Sequence, residues 1–462
     1  MKKWNGLWRK KGGWGILTDK MSDVKMEDIV SLCKRRGFIF QGSEIYGGLA
    51  GTWDYGPLGV ALKRNISNLW WKMFVEDRDD MYGVDAAILM NQKVWQASGH
   101  VDTFTDPLVE CTNCKERFRL DQVPDVVAQG SQDAQTRCPN CGKRGVLSEP
   151  RQFNMMFKTN VGPVDDESST SYLRPETAQG IFTNYKNVVD TFYPDVPFGI
   201  AQQGKAFRNE ISPRDFVFRS REFEQMEIEY FVQEENWEKE FDKWVKNVYE
   251  FLDAIGIPKT SVHELPVPAA DRAHYSKRTI DFEFDFPHKR DELLGLAYRT
   301  SFDLDNIEKH SGKSMEYRPK DGSKPYVPHV IEPSFGVERA IMAVLVSAYT
   351  EDEVNGEKRV YLKLPAHLAP VKVAVSPLLK NKPELVKKAQ EVYAMLKKEF
   401  GNVMYDDNGN IGKRYRRQDE IGTPYCVVVD FDTLKDNTVT IRHRDTTKQK
   451  RVKLDSLTAE IK

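Results

Sequence analysis

A run of alternating residues between Arg219 and Tyr230 constrains the fold of this chain most strongly. Successive side chains of a strand point to opposite faces. One face of this segment would therefore carry Arg219, Arg221, Phe223, Gln225, Glu227 and Glu229. The preceding segment alternates in the same way and puts Arg208 and Glu210 on one face. We predict a β-hairpin that brings arginines, carboxylates and an aromatic ring together.

The pattern of this hairpin leaves two interpretations open. Guanidinium groups bind phosphate oxygens in a forked geometry, and a flat ring can stack on a base, so the surface suits a nucleotide. An antiparallel strand with one solvated face shows the same alternation.

A second segment places an arginine where a helix should begin. The apolar residues after Gly336 follow helical spacing: Val337, Ala340, Ile341, Val344, Leu345 and Ala348. Arg339 would lie in the first turn, where the helix dipole disfavours a cation. A bound phosphate would remove this conflict, and an arginine whose charged end reaches solvent is the alternative.

Four of the six cysteines form two closely spaced pairs, Cys111-x-x-Cys114 and Cys138-x-x-Cys141. This spacing predicts a zinc ribbon with four thiolate ligands. Such a site has no open coordination position, so the metal would be structural. Unmetallated thiols are the alternative. The remaining cysteines, Cys33 and Cys426, are expected in the core.

Length and charge exclude some classes of protein. A chain of 462 residues predicts two or three domains. A net charge of −1 argues against a protein that coats nucleic acid indiscriminately. RNA contacts would need local basic patches, for which the candidates are Lys413, Arg414, Arg416, Arg417, Arg442, Arg444, Lys448, Lys450, Arg451 and Lys453.

Membrane and secretion signals are not apparent in the sequence. No apolar stretch approaches the length that crosses a bilayer. The first twenty residues contain three tryptophans but no continuous apolar core, unlike a secretory signal. We expect a cytoplasmic protein that does not bind membranes.

Five motifs in a consistent order resemble a known family. They are residues 47–57, 173–180, 221–226, 332–334 and 412–417. Together they resemble the dimeric, single-chain glycyl-tRNA synthetases, within the class II aminoacyl-tRNA synthetases. The hairpin and the helix after Gly336 match motifs 2 and 3 of that class. The resemblance extends from about Met26 to the end of the chain.

The resemblance implies an α+β fold, with an antiparallel sheet flanked by helices and a C-terminal α/β anticodon-binding domain. The expected domains are an N-terminal extension (1–25), a catalytic domain (26–365) and an anticodon-binding domain (366–462). A zinc-ribbon-like insertion (106–150) and a second insertion (233–328) would interrupt the catalytic domain. The second insertion should begin with a helix and return to a strand at Ile280–Phe286.

The resemblance also implies a partner for the helix predicted from Pro57 to about Glu76. In the family this helix, motif 1, builds a homodimer interface. A helix that packs within its own chain is the alternative.

The implied reaction has two steps. Glycine is activated with ATP and Mg²⁺ to glycyl-adenylate, and the glycyl group is then transferred to the 3′ end of tRNA(Gly). A carboxylate must approach a polyphosphate, so neutralising charge and aligning the reactants is the main task. Glycine is smaller than every competitor, so a small pocket should exclude the others by size, without an editing domain.

By resemblance, Arg208 would hold the α-phosphate, Phe223 would stack on adenine, and Arg339 would bind the γ-phosphate. Glu210 would contact adenine, and Glu292 would lie near the nucleotide and Mg²⁺. Arg208, Arg339 and Glu292 are the expected catalytic residues. The expected ATP-binding set is Arg208, Asn209, Glu210, Phe218, Arg219, Ser220, Arg221, Glu222, Phe223, Glu292, Leu293, Gly336, Val337, Glu338 and Arg339.

The glycine pocket implied by the family is small and acidic. Its expected residues are Arg119, Glu176, Phe223, Glu224, Gln225, Met226, Glu227, Glu332, Pro333, Ser334, Phe335 and Gly336. Two alternatives to a glycine-specific ligase remain open: a catalytically silent RNA-binding relative, and a related ligase for another amino acid.

Overall fold

The computed structural model describes residues 24–163, 169–273, 275–354 and 356–461. Residues 1–23 of the predicted N-terminal extension lie outside this range. The strands, in chain order, are β1 Ile39–Gln41, β2 Trp53–Tyr55, β3 Met81–Gly83, β4 Thr105–Glu110, β5 Arg117–Arg119, β6 Arg151–Asn154, β7 Lys158–Asn160, β8 Thr170–Tyr172, β9 Phe198–Phe207, β10 Glu222–Val232, β11 Val262–Pro266, β12 Arg278–Asp285, β13 Arg290–Thr300, β14 His329–Gly336, β15 Tyr349–Val354, β16 Glu357–Leu362, β17 Val373–Pro377, β18 Val403–Tyr405, β19 Tyr425–Val429, β20 Thr438–His443 and β21 Gln449–Lys453.

The α-helices, in chain order, are α1 Met26–Arg36, α2 Pro57–Trp71, α3 Gln92–Ala97, α4 His100–Thr103, α5 Pro124–Gln129, α6 Ala178–Phe192, α7 Trp237–Ala254, α8 Phe302–Ser311, α9 Val337–Ala348, α10 Pro383–Phe400, α11 Ile411–Glu420, α12 Phe431–Asp436 and α13 Leu457–Glu460. Among the described residues, no helix combines the length and the apolar character that a membrane span requires.

A seven-stranded sheet forms the centre of the larger part of the chain. Its strand order is β11-β12-β13-β14-β10-β9-β3. All neighbours pair antiparallel except β3, which runs parallel to β9. With helices packed on both faces, this architecture confirms the predicted α+β class.

The two faces of the sheet are covered to different extents. On one face Met226, Ile228 and Tyr230 of β10 are buried in a core that also contains residues of α2, α7 and α9. On the other face Phe231 packs with residues of α6 and α8. Farther along that second face, Phe223 lines a cleft. The alternation of β10 thus separates a packed face from a site face.

The long helix predicted from Pro57 to Glu76 is confirmed. Proline occupies the first turn of α2, where its missing N–H costs nothing. The helix continues as one π-helical turn, Lys72–Glu76. Trp70 is fully buried, and its ring centroid lies 6.1 Å from that of Phe335 on β14.

The predicted hairpin exists, but its arms are shorter than expected. Strand β9 ends at Phe207, and its pairing with β10 begins at Glu222. The connection contains Asp215 and Phe216, each with φ of 57°, a left-handed conformation that a strand cannot contain. The strand assignment was therefore wrong for Arg208, Glu210, Arg219 and Arg221, which lie in this connection.

Residues 233–328, interpreted from the sequence as a second insertion, are part of the central scaffold. The predicted helix is α7, and the predicted strand near Ile280 is β12. Strands β11, β12 and β13 supply three of the seven strands of the sheet. Phe282 and Phe284 are buried in the same core as α7.

The C-terminal part forms a separate sheet with the order β18-β17-β19-β20-β21. Strands β17, β18 and β19 are parallel, whereas β20 and β21 are antiparallel. Its own core includes residues of α10 and α13. The predicted α/β pattern is confirmed, with two antiparallel strands added at one edge.

A buried ion-pair network joins the hairpin β15–β16 to the C-terminal part. Arg442 of β20 makes two hydrogen bonds to Asp419 of α11, at 2.8 and 2.9 Å. Arg359 of β16 reaches the same carboxylate at 3.3 Å. The side chains of Arg359 and Asp419 are each 1% exposed. One carboxylate thus contacts two buried guanidinium groups, and Arg359 also pairs with Asp352 of β15.

Three of the basic residues proposed for RNA contact have structural roles instead. Arg414 is buried and donates to the backbone oxygens of Asp407 and Gly409 at 2.9 and 2.8 Å. Arg444 is buried and donates to two backbone oxygens at 2.7 and 2.9 Å. Arg442 binds Asp419 in the network. Exposed members of the predicted set include Lys413, Lys448 and Lys453.

Replacing Asp419 with alanine should destabilise the protein by about 3–5 kcal/mol, because the buried Arg442 guanidinium loses its carboxylate partner and Arg359 is left with Asp352 alone. The measurement is urea unfolding followed by fluorescence and circular dichroism. A matched control is Glu351→Ala on the same hairpin, because its 2.8 Å pair with Lys358 is exposed. That change should cost at most about 1 kcal/mol. Equal losses for the two variants would contradict the role of the network.

Candidate active site

A cleft of about 280 Å³ lies on the site face of the central sheet. Residues from distant parts of the sequence meet there, contributed mainly by β5, the β9–β10 connection, β10, β13, β14 and α9. The predicted residues that line it are Arg119, Arg208, Glu210, Phe218, Arg219, Ser220, Phe223, Gln225, Glu292, Leu293, Ser334, Gly336, Glu338 and Arg339.

Arg208 follows directly after β9 and lies beside an aromatic ring, as the sequence predicted. Its Nε donates to the backbone oxygen of Pro175 at 3.0 Å. Its guanidinium carbon is 5.2 Å from the centroid of Phe223 and 5.4 Å from that of Phe104. The backbone contact and the two rings orient the guanidinium towards the cleft.

Arg339 lies in the first turn of α9, as predicted. Its Nη1 is 2.9 Å from a carboxylate oxygen of Glu292 and donates to the Glu292 backbone oxygen at 3.0 Å. The Arg339 charge holds the pKa of Glu292 below its ordinary value. The carboxylate therefore supplies the anion that a cation at a helix N-terminus needs.

Arg119 lines the cleft from the side of the cysteine-bearing insertion. Its guanidinium pairs with Asp106 at 2.9 Å and with Asp121 at 2.6 Å. The sequence prediction placed Arg119 beside the amino acid substrate. Its position is on the cleft, and the neighbouring acidic pocket is lined by other residues.

That acidic pocket has a volume of about 270 Å³ and shares Arg208, Gln225, Glu292 and Ser334 with the cleft. It brings together the predicted residues Glu176, Glu227, Glu332 and Ser334. A second wall comes from the segment between β11 and β12, with Asp271, Arg272 and Tyr275. No sequence pattern indicated this wall, because its place depends on how the connection folds over the sheet.

Glu227 is the most densely hydrogen-bonded residue of the pocket. One oxygen accepts from Ser334 Oγ at 2.8 Å and from Gln225 Nε2 at 2.7 Å. The other accepts from the Thr177 backbone N–H at 3.1 Å and from the Thr177 hydroxyl. These donors hold the carboxylate in one orientation.

Arg299 supports the pocket and was missed in the sequence. It is 1% exposed and pairs with Glu332 at 2.7 Å and with Asp303 at 2.8 Å. The available signal was a charged residue at the end of the otherwise apolar run 293–298. A buried arginine in such a run needs a carboxylate partner.

His100 is a second residue that the sequence did not reveal. Its Nε2 lies 3.4 Å from a carboxylate oxygen of Glu176. Burial alone would raise the pKa of Glu176, but His100, and then Arg299 and Arg208, hold it well below its ordinary value. Glu176 therefore carries its charge inside the pocket.

Two other pocket carboxylates, Glu332 and Glu227, have pKa values shifted in the opposite direction. Burial raises the pKa of Glu332 to about 8, with Glu227 and Glu176 adding to the shift and Arg299 opposing it. Burial and the Glu176 charge also raise the pKa of Glu227. The pocket thus concentrates more acidic groups than its cations neutralise, and a ligand with a positive charge would relieve this repulsion.

Eight predicted site residues line neither the cleft nor the acidic pocket: Asn209, Arg221, Glu222, Glu224, Met226, Pro333, Phe335 and Val337. Met226 and Phe335 face each other across β10 and β14 and are buried in the core. Pro333 alternates with Glu332 and Ser334, so its side chain lies on the packed face.

The remaining five of these residues have structural contacts. Glu222 and Glu224 pair with Lys205 at 3.0 and 3.6 Å. Val337 is fully buried in the core of α9. The Asn209 N–H donates to the Met155 backbone oxygen at 2.7 Å, and Arg221 donates to the backbone oxygens of Ala50 and Glu210. These five residues support the site from outside and do not face it.

The four predicted cysteine ligands lie together in the insertion, with their sulfur atoms within 4.8 Å of one another. Cys111 Sγ is 3.7 Å from Cys141 Sγ, and Cys114 Sγ is 3.7 Å from Cys138 Sγ. A tetrahedron with Zn–S bonds of about 2.3 Å has edges of about 3.8 Å. The cluster therefore has the size that a zinc ion requires.

Comparison with protein families defines the class of protein. Residues 157–349 match the tRNA synthetase class II core domain (G, H, P, S and T), and residues 372–462 match an anticodon binding domain. The first match contains the acidic pocket residues and Arg339, and the second contains the C-terminal sheet. The chain is thus a class II aminoacyl-tRNA synthetase in fold.

Comparison with individual proteins defines the family. The chain is 48% identical to the glycine–tRNA ligase of Streptomyces coelicolor over 451 residues, which cover 95% of this chain and 98% of the relative. It is 49% identical to that of Clostridium acetobutylicum over 458 residues, covering 95% and 98%. The chain belongs to the glycine–tRNA ligase family.

The raised pKa of Glu332 predicts a pH-dependent cost to stability. A carboxyl group whose pKa is higher in the folded state than in the unfolded state stabilises the fold. This contribution is complete below the unfolded-state pKa, about 4.3, and is lost as the pH rises towards 8. Glu332→Gln removes this titration. The stability of wild type relative to the variant should therefore fall from pH 5 to pH 8, by at most about 1.4 kcal/mol for each pH unit between these two pKa values.

Urea unfolding at pH 5, 6.5 and 8 measures this difference. Glu384→Gln, an exposed carboxyl on α10, is the control and should show no pH-dependent difference. A wild-type-to-Glu332→Gln difference that is constant with pH would contradict the assignment.

Proposed function

We propose that this chain catalyses the ATP-dependent activation of glycine to glycyl-adenylate and transfers the glycyl group to the 3′ end of tRNA(Gly). One observation carries the proposal. A cleft containing Arg208 and Arg339 opens into a small pocket of buried carboxylates, including Glu227 and Glu332. A triphosphate and an amino acid with a free ammonium group have the complementary charges.

In the first step the glycine carboxylate attacks the α-phosphorus of ATP, and pyrophosphate leaves. The nucleophile is already ionised, so the chain must reduce charge repulsion and align the two reactants. Arg208 lies in both the cleft and the acidic pocket. It is the residue suited to contact the α-phosphate and the glycine carboxylate together, with Phe223 stacking on adenine.

Arg339 would bind the γ-phosphate by exchanging one anion for another. Its present partner is the Glu292 carboxylate at 2.9 Å. Arginine binds phosphate with two parallel hydrogen bonds, and the helix N-terminus favours the same anion. Glu292 would then be available to hold Mg²⁺, which prefers oxygen ligands and would neutralise phosphate charge when bound.

The acidic pocket would bind the glycine ammonium group. Glu176, Glu227 and Glu332 surround the space, and Ser334 adds a hydroxyl. Discrimination by size favours the smallest amino acid, because every larger side chain must displace a wall. A pocket that selects a larger substrate gains only about 1–3 kcal/mol per methylene against a smaller one.

The cysteine cluster would hold a structural Zn²⁺. Its sulfur spacing fits a tetrahedral ion, and backbone N–H groups point at two of the thiols. Hydrogen bonds from the backbone lower the pKa of Cys114, and that of Cys141 to about 6, whereas burial raises the pKa of Cys138 to about 12. A bound cation would favour the thiolate form of all four.

The C-terminal domain would contact tRNA, and two chains would form a homodimer through the region of α2. Support for the dimer comes from exposed apolar side chains in the connection between β1 and β2, the two strands that precede α2. Ile45, Tyr46 and Leu49 are 88%, 87% and 56% exposed. All six cysteines are free thiols, which agrees with a reducing, cytoplasmic location.

Glycine-dependent exchange of pyrophosphate into ATP tests the proposed function directly. We expect exchange with glycine and little with serine, alanine or proline. Exchange with another amino acid in place of glycine would favour the related-ligase alternative. Pure protein without any amino acid-dependent exchange would favour the silent RNA-binding alternative.

Arg339→Ala should reduce the rate of this exchange about 100-fold or more, because the reaction loses a preorganised charge. Circular dichroism should show an intact fold. Arg318→Ala, an exposed arginine outside the site, is the control and should exchange at the wild-type rate. Normal exchange by Arg339→Ala would exclude its phosphate role.

A further inference from the structure

We propose that the four-cysteine cluster is a positioning device for Arg119, so that metal bound by the cluster controls glycine activation through this side chain. The inference rests on the proposed function, in which the cleft that Arg119 lines holds the reacting substrates. It adds a specific mechanical link between a closed metal site and the cleft.

The position of Arg119 depends on a very short strand. Strand β5 contains three residues and pairs only with β4 in the described sheet, with Arg119 opposite Leu108 and Arg117 opposite Glu110. Asp106, also on β4, holds the Arg119 guanidinium at 2.9 Å. The backbone of Arg119 is therefore set by the β4–β5 pair, and its guanidinium is held between Asp106 of β4 and Asp121, which follows β5 and pairs with it at 2.6 Å.

Two of the four thiols belong to the turn that joins these strands. Cys111 follows the last residue of β4, and its N–H donates to the Glu116 backbone oxygen at 2.8 Å. Cys114 lies at the middle of the turn, where its N–H points at Cys111 Sγ at 3.4 Å. A metal ion on these thiols would close the turn and so fix the register of β5.

The other two thiols anchor this turn to a distant segment. Cys138 and Cys141 face Cys114 and Cys111 across the cluster. The Thr112 N–H donates to the Val146 backbone oxygen at 2.7 Å, beside the second cysteine pair. A shared ion would therefore tie residues 111–114 to residues 138–146.

The hydrophobic core of the insertion is too small to hold these two segments together alone. Its apolar cluster consists of the buried Val109, Val123 and Val126, with Phe118, Leu120 and Leu147 half-buried against them, among the described residues. Ordering a segment the length of 106–150 costs more conformational entropy than a cluster of this size offsets. Small units of this kind obtain their stability from a bound metal.

A second structural link connects the cluster to the site, besides the one through β5 and Arg119. Ser212 Oγ in the β9–β10 connection donates to the Arg117 backbone oxygen at 3.2 Å. Loss of metal could disturb the connection that carries Arg208 as well as Arg119. The two links make different predictions for an enzyme that lacks the Arg119 side chain. Its activity should respond to metal loss only if the second link operates.

The experiment is a double-mutant cycle in the full chain with Cys138→Ser, Arg119→Ala and the double variant. Each protein is assayed for zinc content, for glycine-dependent exchange, and for hydrogen exchange of the amides in residues 105–119. Cys426→Ala, which alters a buried cysteine outside the cluster, is the matched control and should keep zinc and activity.

We expect about one zinc ion per wild-type chain. Cys138→Ser should lose zinc, lose amide protection in β5, and exchange pyrophosphate roughly 10- to 100-fold more slowly. Arg119→Ala should keep zinc and protection but lose activity to a similar extent. The double variant should be no slower than the slower single variant, because both changes remove one interaction.

Several results would overturn the inference. They are wild-type protein without zinc, unchanged β5 protection in Cys138→Ser, or activity losses that multiply in the double variant. Should Cys138→Ser fail to fold, chelation of zinc from wild type and Arg119→Ala gives the same comparison. Wild type with zinc but without glycine-dependent exchange would reject the proposed function separately.

Discussion

The register of β10 is the constraint on which the site depends. Burying Met226, Ile228 and Tyr230 in the core fixes which residues face inward. A slip of one residue would exchange the two faces of the strand. The large hydrophobic gain from the packed face therefore holds Phe223 and Glu227 on the other face, where charge alone would not keep them. The packing of the core therefore fixes the positions of the site residues.

Electrostatic asymmetry is the second organising feature. Arginines concentrate in the cleft, and carboxylates concentrate in the adjoining pocket, with Arg208 shared by both. Each half is costly to bury unless a partner of opposite charge is present. Arg299 pairs with Glu332, and Glu292 pairs with Arg339, so the protein satisfies these charges from within. Substrates with a triphosphate and an ammonium group can replace or complete these pairs.

Two peripheral segments, the hairpin β15–β16 and the cysteine-bearing insertion, contain polar links of different kinds. The hairpin β15–β16 extends directly from α9 and is locked to α11 by the pair between Arg359 and Asp419. In the cysteine-bearing insertion, four sulfur atoms gather beside a small apolar core. The first link is complete within the chain, whereas the second would be completed by the proposed zinc ion. With that ion, the two attachments would differ in their sensitivity to the surroundings.

The α+β class followed from the resemblance to a family and not from a local pattern. Local patterns were enough to predict the helix at Pro57 and the first-turn position of Arg339, because spacing along one helix decides each of them. They failed for Arg219 and Arg221, since the connection that contains the left-handed residues delays the start of β10 until Glu222. By itself, the sequence determined which side chains each strand and helix presents. Only the tertiary structure decided that Arg299 and His100 meet Glu332 and Glu176, because burial and strand order bring distant charges together, and no spacing rule encodes such a meeting.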